Sequence, residues 1–169
     1  MVYYESPGKA NLDKTLELIK KKSEELGIKD VVLATSTGFT AEKAFEAFKG
    51  TDITLTIMST DRQWWNESFL KDFVKKLEEK GHKLFFIREM SPYPFINTPS
   101  PFIKTSYCRL SSGLWVAVYV TFFAVDKGFV STDKDIITTA NYNTALVVKP
   151  ATSENFTEFR IKEIICKPK

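Results

Sequence analysis

Four hydroxyl side chains and one glycine fall within six residues, Thr35-Ser36-Thr37-Gly38-Phe39-Thr40. Hydroxyls both donate and accept hydrogen bonds, and Gly38 lets the backbone bend and approach a bound group closely. Where such a stretch joins a strand to a helix, the unpaired N–H groups of the first helical turn add roughly half a positive charge. Together these features suit a phosphate or another small dianion. The same residues also suit a plain capping turn, because Ser and Thr are common N-caps. The stretch is not a Walker A loop, since Gly-Lys-Ser/Thr is absent, and it lacks the second and third glycines of the dinucleotide fingerprint.

A second stretch with chemical potential is Ser59-Thr60-Asp61-Arg62-Gln63-Trp64-Trp65. Trp64 and Trp65 are candidates to stack on a flat ring, and Arg62 to meet a phosphate. The competing reading buries both tryptophans in the core or a subunit interface, where aromatics also concentrate. A third is Ala140-Asn141-Tyr142-Asn143-Thr144. The single histidine, His82, follows Gly81 at the start of a predicted strand, at the end of the sheet away from these loops. It is expected on the surface, so a Ser-His-Asp or Cys-His centre is not expected. Cys108 and Cys166 lack metal-type spacing and are expected to be idle thiols in a reducing compartment.

The elements that must position these residues are legible from periodicity. Leu12, Leu16, Ile19 and Leu26 recur at helical spacing after Asn11, a candidate N-cap, and Gly27 ends the helix. Residues 30–35 form a continuous apolar run, as in a strand covered on both faces. After the hydroxyl-rich turn, Ala41, Ala44, Phe45 and Phe48 mark a helix that stops at Gly50. Strands are predicted at 53–58 and 83–87, with a helix at about 68–80 between them. Four of the seven prolines (Pro92, Pro94, Pro99 and Pro101) predict a fixed loop over 91–101, a lid or simply a connection. The apolar 107–126 stretch is read as one long buried helix ending before Gly128. Strands follow at 135–139, 146–148 and 159–165, the last alternating enough for an edge strand.

Alternating strands and helices imply a mainly parallel sheet with right-handed crossovers. The expected fold is a single α/β domain, a three-layer sandwich with helices on both faces and an antiparallel edge strand near the C-terminus. Ligands in such sheets bind beyond the carboxyl ends of the strands, where strand order reverses. With the 30–35 strand central, the turn after Thr35 lies there, and the 140–144 loop is its partner across the crevice. The predicted binding set is Thr35, Ser36, Thr37, Gly38, Thr40, Ser59, Thr60, Asn141, Asn143 and Thr144.

Bulk properties agree with a small globular domain. The chain has 169 residues, 43% hydrophobic and 27% charged, with a net charge of +3. It has no basic stripe of the kind a dedicated nucleic-acid binder shows, so no nucleic-acid partner is expected. The apolar stretch from Leu114 to Val125 is too short for the roughly 20 residues a membrane span needs. No membrane partner is expected, and a cytoplasmic location follows from the lack of any other address.

Several segments carry a family likeness. Residues 11–16, 25–29 and 31–41, and above all Thr144-Ala145-Leu146-Val147-Val148-Lys149-Pro150-Ala151 and Phe159-Arg160-Ile161-Lys162-Glu163-Ile164-Ile165-Cys166-Lys167-Pro168, resemble a group of small stand-alone proteins, mostly archaeal. That group is similar to the C-terminal α/β domain of pyruvate kinase without its catalytic barrel. The resemblance implies a phosphate site in the strand-turn-helix at Thr35–Thr40 and flavin mononucleotide (FMN) as a guest in the crevice. It does not imply kinase activity. Relatives tend to carry paired histidines and Gly-Phe where this chain has residues 59–65, and a glycine-rich loop with an Asp where it has Asn141-Tyr142-Asn143. The expected function is therefore binding of FMN or another small phosphorylated ligand. Two alternatives stand beside it. One is a flavin-dependent oxidoreductase. The other is a ligand-free structural or oligomerising module, in which Trp64 and Trp65 bury against a second copy.

Overall fold

A computed structural model describes residues 1–90 and 101–169. Its strands are β1 (Val2–Tyr4), β2 (Asp30–Thr35), β3 (Thr54–Ser59), β4 (Lys83–Phe86), β5 (Ile136–Ala140), β6 (Thr144–Lys149) and β7 (Arg160–Pro168). Its α-helices are α1 (Leu12–Leu26), α2 (Phe39–Ala47), α3 (Glu67–Glu79), α4 (Pro101–Leu110) and α5 (Ser112–Asp126). The strands form one sheet in the order β1-β7-β6-β5-β2-β3-β4. All neighbours run parallel except β6, which is antiparallel to both β5 and β7. This is the expected three-layer α/β architecture.

Two hydrophobic cores lie on opposite faces of the sheet. On one face, Leu12, Leu16 and Ile19 of α1, Ala41 and Phe45 of α2, and Leu70 and Phe73 of α3 pack on Val31 and Leu33 of β2. On the other, Leu114, Val118 and Phe123 of α5 pack on Val32, Ile136 and Leu146. The alternation Val31, Val32, Leu33 divides β2 between the two, the two-residue period of a strand covered on both sides. Each fully buried Leu or Ile contributes about 1.5–3 kcal/mol of transfer free energy, so these faces hold the helices in place.

The N-terminal end of α1 departs from its expected chemistry. Asn11 occupies the N-cap position, but its side chain donates to the Ser6 carbonyl and caps nothing. The helix ends as expected, with Gly27 in the left-handed conformation at φ 65°.

Three expectations are corrected. The long helix over 107–126 is two helices, broken at Ser111, whose extended backbone (φ −178°, ψ 137°) ends α4 and starts α5. Helix α5 is apolar nearly all round because it lies between the sheet and α4. The last strand is not at an edge. The three-residue β1 pairs outside it, with Val2 opposite Cys166, so β7 is interior there. The antiparallel member of the sheet is likewise interior, since β6 lies between β5 and β7. The predicted 91–101 loop lies outside the described residues except for Pro101, the first residue of α4, a position where its missing N–H costs nothing. Among the described residues no helix is long and apolar enough to cross a membrane.

Strand β2 is central. The chain runs outward from it through β3 to β4, then returns over the second face to place β5 on its other side. The reversal therefore falls between β2 and β5, with α2 starting at the carboxyl end of β2.

Candidate functional site

The register brings the predicted loops together. Thr35 pairs with Ser59 of β3, and Leu33 with Thr139 of β5. Two residues on, Thr35 is the last residue of β2, and Asn141 follows the last residue of β5.

Helix α2 begins without a side-chain cap. Its N-cap is Gly38 (φ 89°), and no hydroxyl reaches the first-turn N–H groups. The side-chain hydroxyls of Thr35, Ser36, Thr37 and Thr40 make no hydrogen bond among the described residues. Thr35 and Thr40 are only 8% and 6% exposed. Yet among the described residues no fully buried side-chain oxygen or nitrogen is without a partner. Neither hydroxyl oxygen is therefore wholly sealed from the surface. The turn thus presents free donors from the backbone and free hydroxyls from the side chains, at the positive end of a helix dipole.

The β3 flank of the turn is filled. Trp65 is 6% exposed, and its ring lies against Gly38 so closely that a Cβ there would stand 2.6 Å from Trp65 Cζ3. Its indole Nε1 donates to Ser59 Oγ (2.8 Å), and Ser59 Oγ donates to the Ser36 carbonyl (3.2 Å). The ring also stacks on Phe69 and meets Phe73 and Phe86. Trp65 is thus a core residue that props the turn from behind, and Ser59 is committed to the same task. Trp64 is 46% exposed on a 3-10 turn over Arg62–Trp64.

Arg62 is paired with a carboxylate. Its Nε and Nη2 donate to the two carboxylate oxygens of Glu89 (2.8 and 3.2 Å), and the guanidinium lies over the Phe86 ring. The hydrogen bond to Glu89 holds the Arg62 pKa above its ordinary value. Arg88 pairs with Asp61 (2.9 Å), and its N–H donates to the Thr60 carbonyl, so the loops after β3 and β4 are tied to one another.

The opposite wall is the turn between β5 and β6. Asn141 and Tyr142 both have positive φ, 54° and 66°, as a type I′ turn requires. Asn accepts this conformation readily, but a bulky aromatic does so only at a cost of about 1–3 kcal/mol. The turn is held from both faces of the sheet. From α1, Thr15 Oγ1 donates to the Tyr142 carbonyl (3.0 Å), and Tyr4 Oη lies 2.9 Å from the same Thr15 hydroxyl. From α5, Ser112 Oγ accepts from Asn141 Nδ2 (3.1 Å). Thr144 Oγ1 donates to Asn143 Oδ1 and lies 3.2 Å from Ser111 Oγ. Gly113 fits against Thr144 because a Cβ there would meet Thr144 Oγ1 at 2.4 Å. Thr144 and Asn143 are buried structural members of this wall.

Burial pushes the Tyr4 phenol up to about 12, so it stays a neutral donor. Burial also raises the Cys166 thiol, which lies 3.8 Å from Thr15 Oγ1, and keeps it unreactive. His82 is half-buried rather than on the surface. Its Nδ1 accepts from the Leu55 N–H (3.2 Å) at the start of β3, and its ring meets Phe45 edge-on. Its role is structural, and burial, with Lys80 nearby, lowers its pKa.

Sequence reasoning missed three participants. Thr15 reads as one more position on the buried face of α1. Tyr142 lies in the 140–144 loop, where the sequence offers Asn141, Asn143 and Thr144 as the binding residues. Lys9, on the short turn before α1, holds its ammonium 4.9 Å from the centroid of the Phe39 ring and 6.0 Å from that of Tyr142. The Phe39 and Tyr142 rings are themselves 6.3 Å apart, edge to face. No local sequence signal brings these three together.

No family model matches the sequence. Among the described residues no cluster of His, Cys, Asp or Glu is suited to hold a metal ion.

Proposed function

We propose that this chain is a small-ligand-binding domain that holds the phosphate of FMN, or of a related phosphorylated metabolite, in the turn Thr35–Thr40. The carrying observation is the uncapped start of α2, with four hydroxyls beside it that no part of the described protein engages. A capping turn would spend at least one of those hydroxyls on the helix. A phosphate needs them free. The fit to FMN is asymmetric. Donors for the phosphate are in place, but Trp65 and Arg62 are committed elsewhere, so the flat part of the ligand has to lie toward the β5–β6 turn. The choice of FMN within the wider class rests on the resemblance to the pyruvate kinase C-terminal-like group. Cys108 and Cys166 are both unpaired, in keeping with a reducing, cytoplasmic setting.

Purified protein should be stabilised against heat by FMN, and less so by riboflavin, which lacks the phosphate. Ligand at 100 times its dissociation constant adds about 2.7 kcal/mol, which a thermal scan resolves. No shift with FMN, sugar phosphates or inorganic phosphate would refute this reading.

A further inference from the structure

We infer that Tyr142, rather than either tryptophan, is the residue that receives the flat portion of the ligand, and that it does so from a backbone held in an unfavourable conformation for that purpose. This rests on the reading of Thr35–Thr40 as a phosphate cradle, and it adds a specificity-determining residue to that site.

Three observations lead to Tyr142. The cradle has two flanks, and the β3 flank is occupied by Trp65 pressed against Gly38. A ligand extending from the cradle therefore lies along the β5 flank. Tyr142 stands there, half-buried, its ring 6.3 Å from that of Phe39, the first residue of α2. Its backbone sits at φ 66°, where an aromatic residue is strained. Gly or Asn at this position would relieve the strain, at the loss of the ring's packing against the core beside Phe39. Here the strained residue is retained and its carbonyl is anchored by Thr15. Strain maintained by the surrounding structure at a crevice points to a role for the side chain that is strained.

The surroundings suit a planar anionic guest. Lys9 lies over both aromatic rings and makes no salt bridge among the described residues. Its long stem can be displaced from the rings by a flat group, while its charge stays at the mouth of the crevice. A tyrosine face offers stacking area at a small cost in conformational entropy. The ligand class this selects is an aromatic ring system joined to a phosphate through a short spacer. A plain sugar phosphate would use the cradle alone.

Tyr142→Asn tests this, because Asn accepts the left-handed turn and the variant keeps its backbone. The probes are FMN, followed by the quenching of flavin fluorescence, and inorganic phosphate, followed by thermal shift. The expected result is at least a tenfold loss of FMN affinity with an unchanged response to phosphate, while Tyr142→Phe, which keeps the ring, binds FMN as the wild type does. A merely structural tyrosine would lower both affinities together, and that outcome overturns the inference. FMN binding that is indifferent to Tyr142→Asn overturns it while leaving the cradle standing. Failure of the wild-type protein to respond to either probe removes the cradle, and this inference with it.

Discussion

The Thr15 hydroxyl donates a 3.0 Å hydrogen bond to the carbonyl of Tyr142, a residue 127 positions away in the chain. The bond joins the first turn of α1 to the positive-φ turn between β5 and β6, and Tyr4 Oη completes it at 2.9 Å. A buried hydroxyl thereby fixes the wall of the crevice from below. Thr15→Val keeps the shape but leaves the Tyr142 carbonyl and the Tyr4 phenol without their partner. Stranding buried polar groups costs about 1–3 kcal/mol. The urea midpoint should fall by a corresponding amount at an unchanged m-value. An unchanged midpoint would mean that water replaces the hydroxyl and the turn is not held from α1.

Gly38 and Trp65 form the other fixed relationship. A methyl group on Gly38 would stand 2.6 Å from the indole ring, in a backbone at φ 89°. Gly38→Ala should therefore destabilise by about 1–3 kcal/mol through overpacking and strain together. Adding Trp65→Leu separates the two causes. The steric part should be relieved in the double variant, giving a coupling of about 0.5–3 kcal/mol, while the cost of positive φ remains. Strictly additive effects would show that the ring moves aside freely.

Arg62 offers a contrasting case. It is the one arginine beside the crevice that sequence inspection favours for phosphate, yet it is paired with Glu89 through two hydrogen bonds at the surface. Exposed pairs of this kind contribute about 0–1 kcal/mol. Arg62→Ala is expected to change stability little and to leave FMN and phosphate binding as they are. A tenfold loss of affinity, about 1.4 kcal/mol, would show that the guanidinium leaves Glu89 for the ligand.

What the sequence made legible follows the physics of each signal. The period of Leu12, Leu16 and Ile19, the continuous apolar run at Val31–Leu33 and the hydroxyl-rich turn are local patterns, and each lies in the structure where the pattern puts it. The pairing of β1 with β7 joins Val2 to Cys166 across nearly the whole chain, and three residues carry no period to read. The break at Ser111 was hidden because α5 is apolar on every side, so no change of face marks where α4 stops. Within the candidate site, the hydroxyl-rich turn is legible because its residues are neighbours in sequence. The 140–144 loop is legible too, from the strand order, but the contacts of Tyr142 with Thr15 and Lys9 are not, because they form only after the sheet has assembled.

The histidine gives a pH dependence with a definite sign. His82 Nδ1 accepts the Leu55 N–H, so the folded chain prefers the neutral ring, and burial lowers the folded-state pKa. In the unfolded chain the ring titrates near its ordinary value of 6.5. Between those two values the unfolded state binds more protons, so stability rises with pH across that window. The contribution is complete above pH 6.5 and is lost as pH falls toward the folded-state pKa. Urea midpoints for the wild type should therefore fall between pH 7.5 and pH 5. His82→Gln, which keeps a hydrogen-bond acceptor without a titrating group, should show a flatter profile over the same range. Parallel profiles for the two proteins would show that other groups govern the acid response and that the Leu55–His82 bond contributes nothing to it.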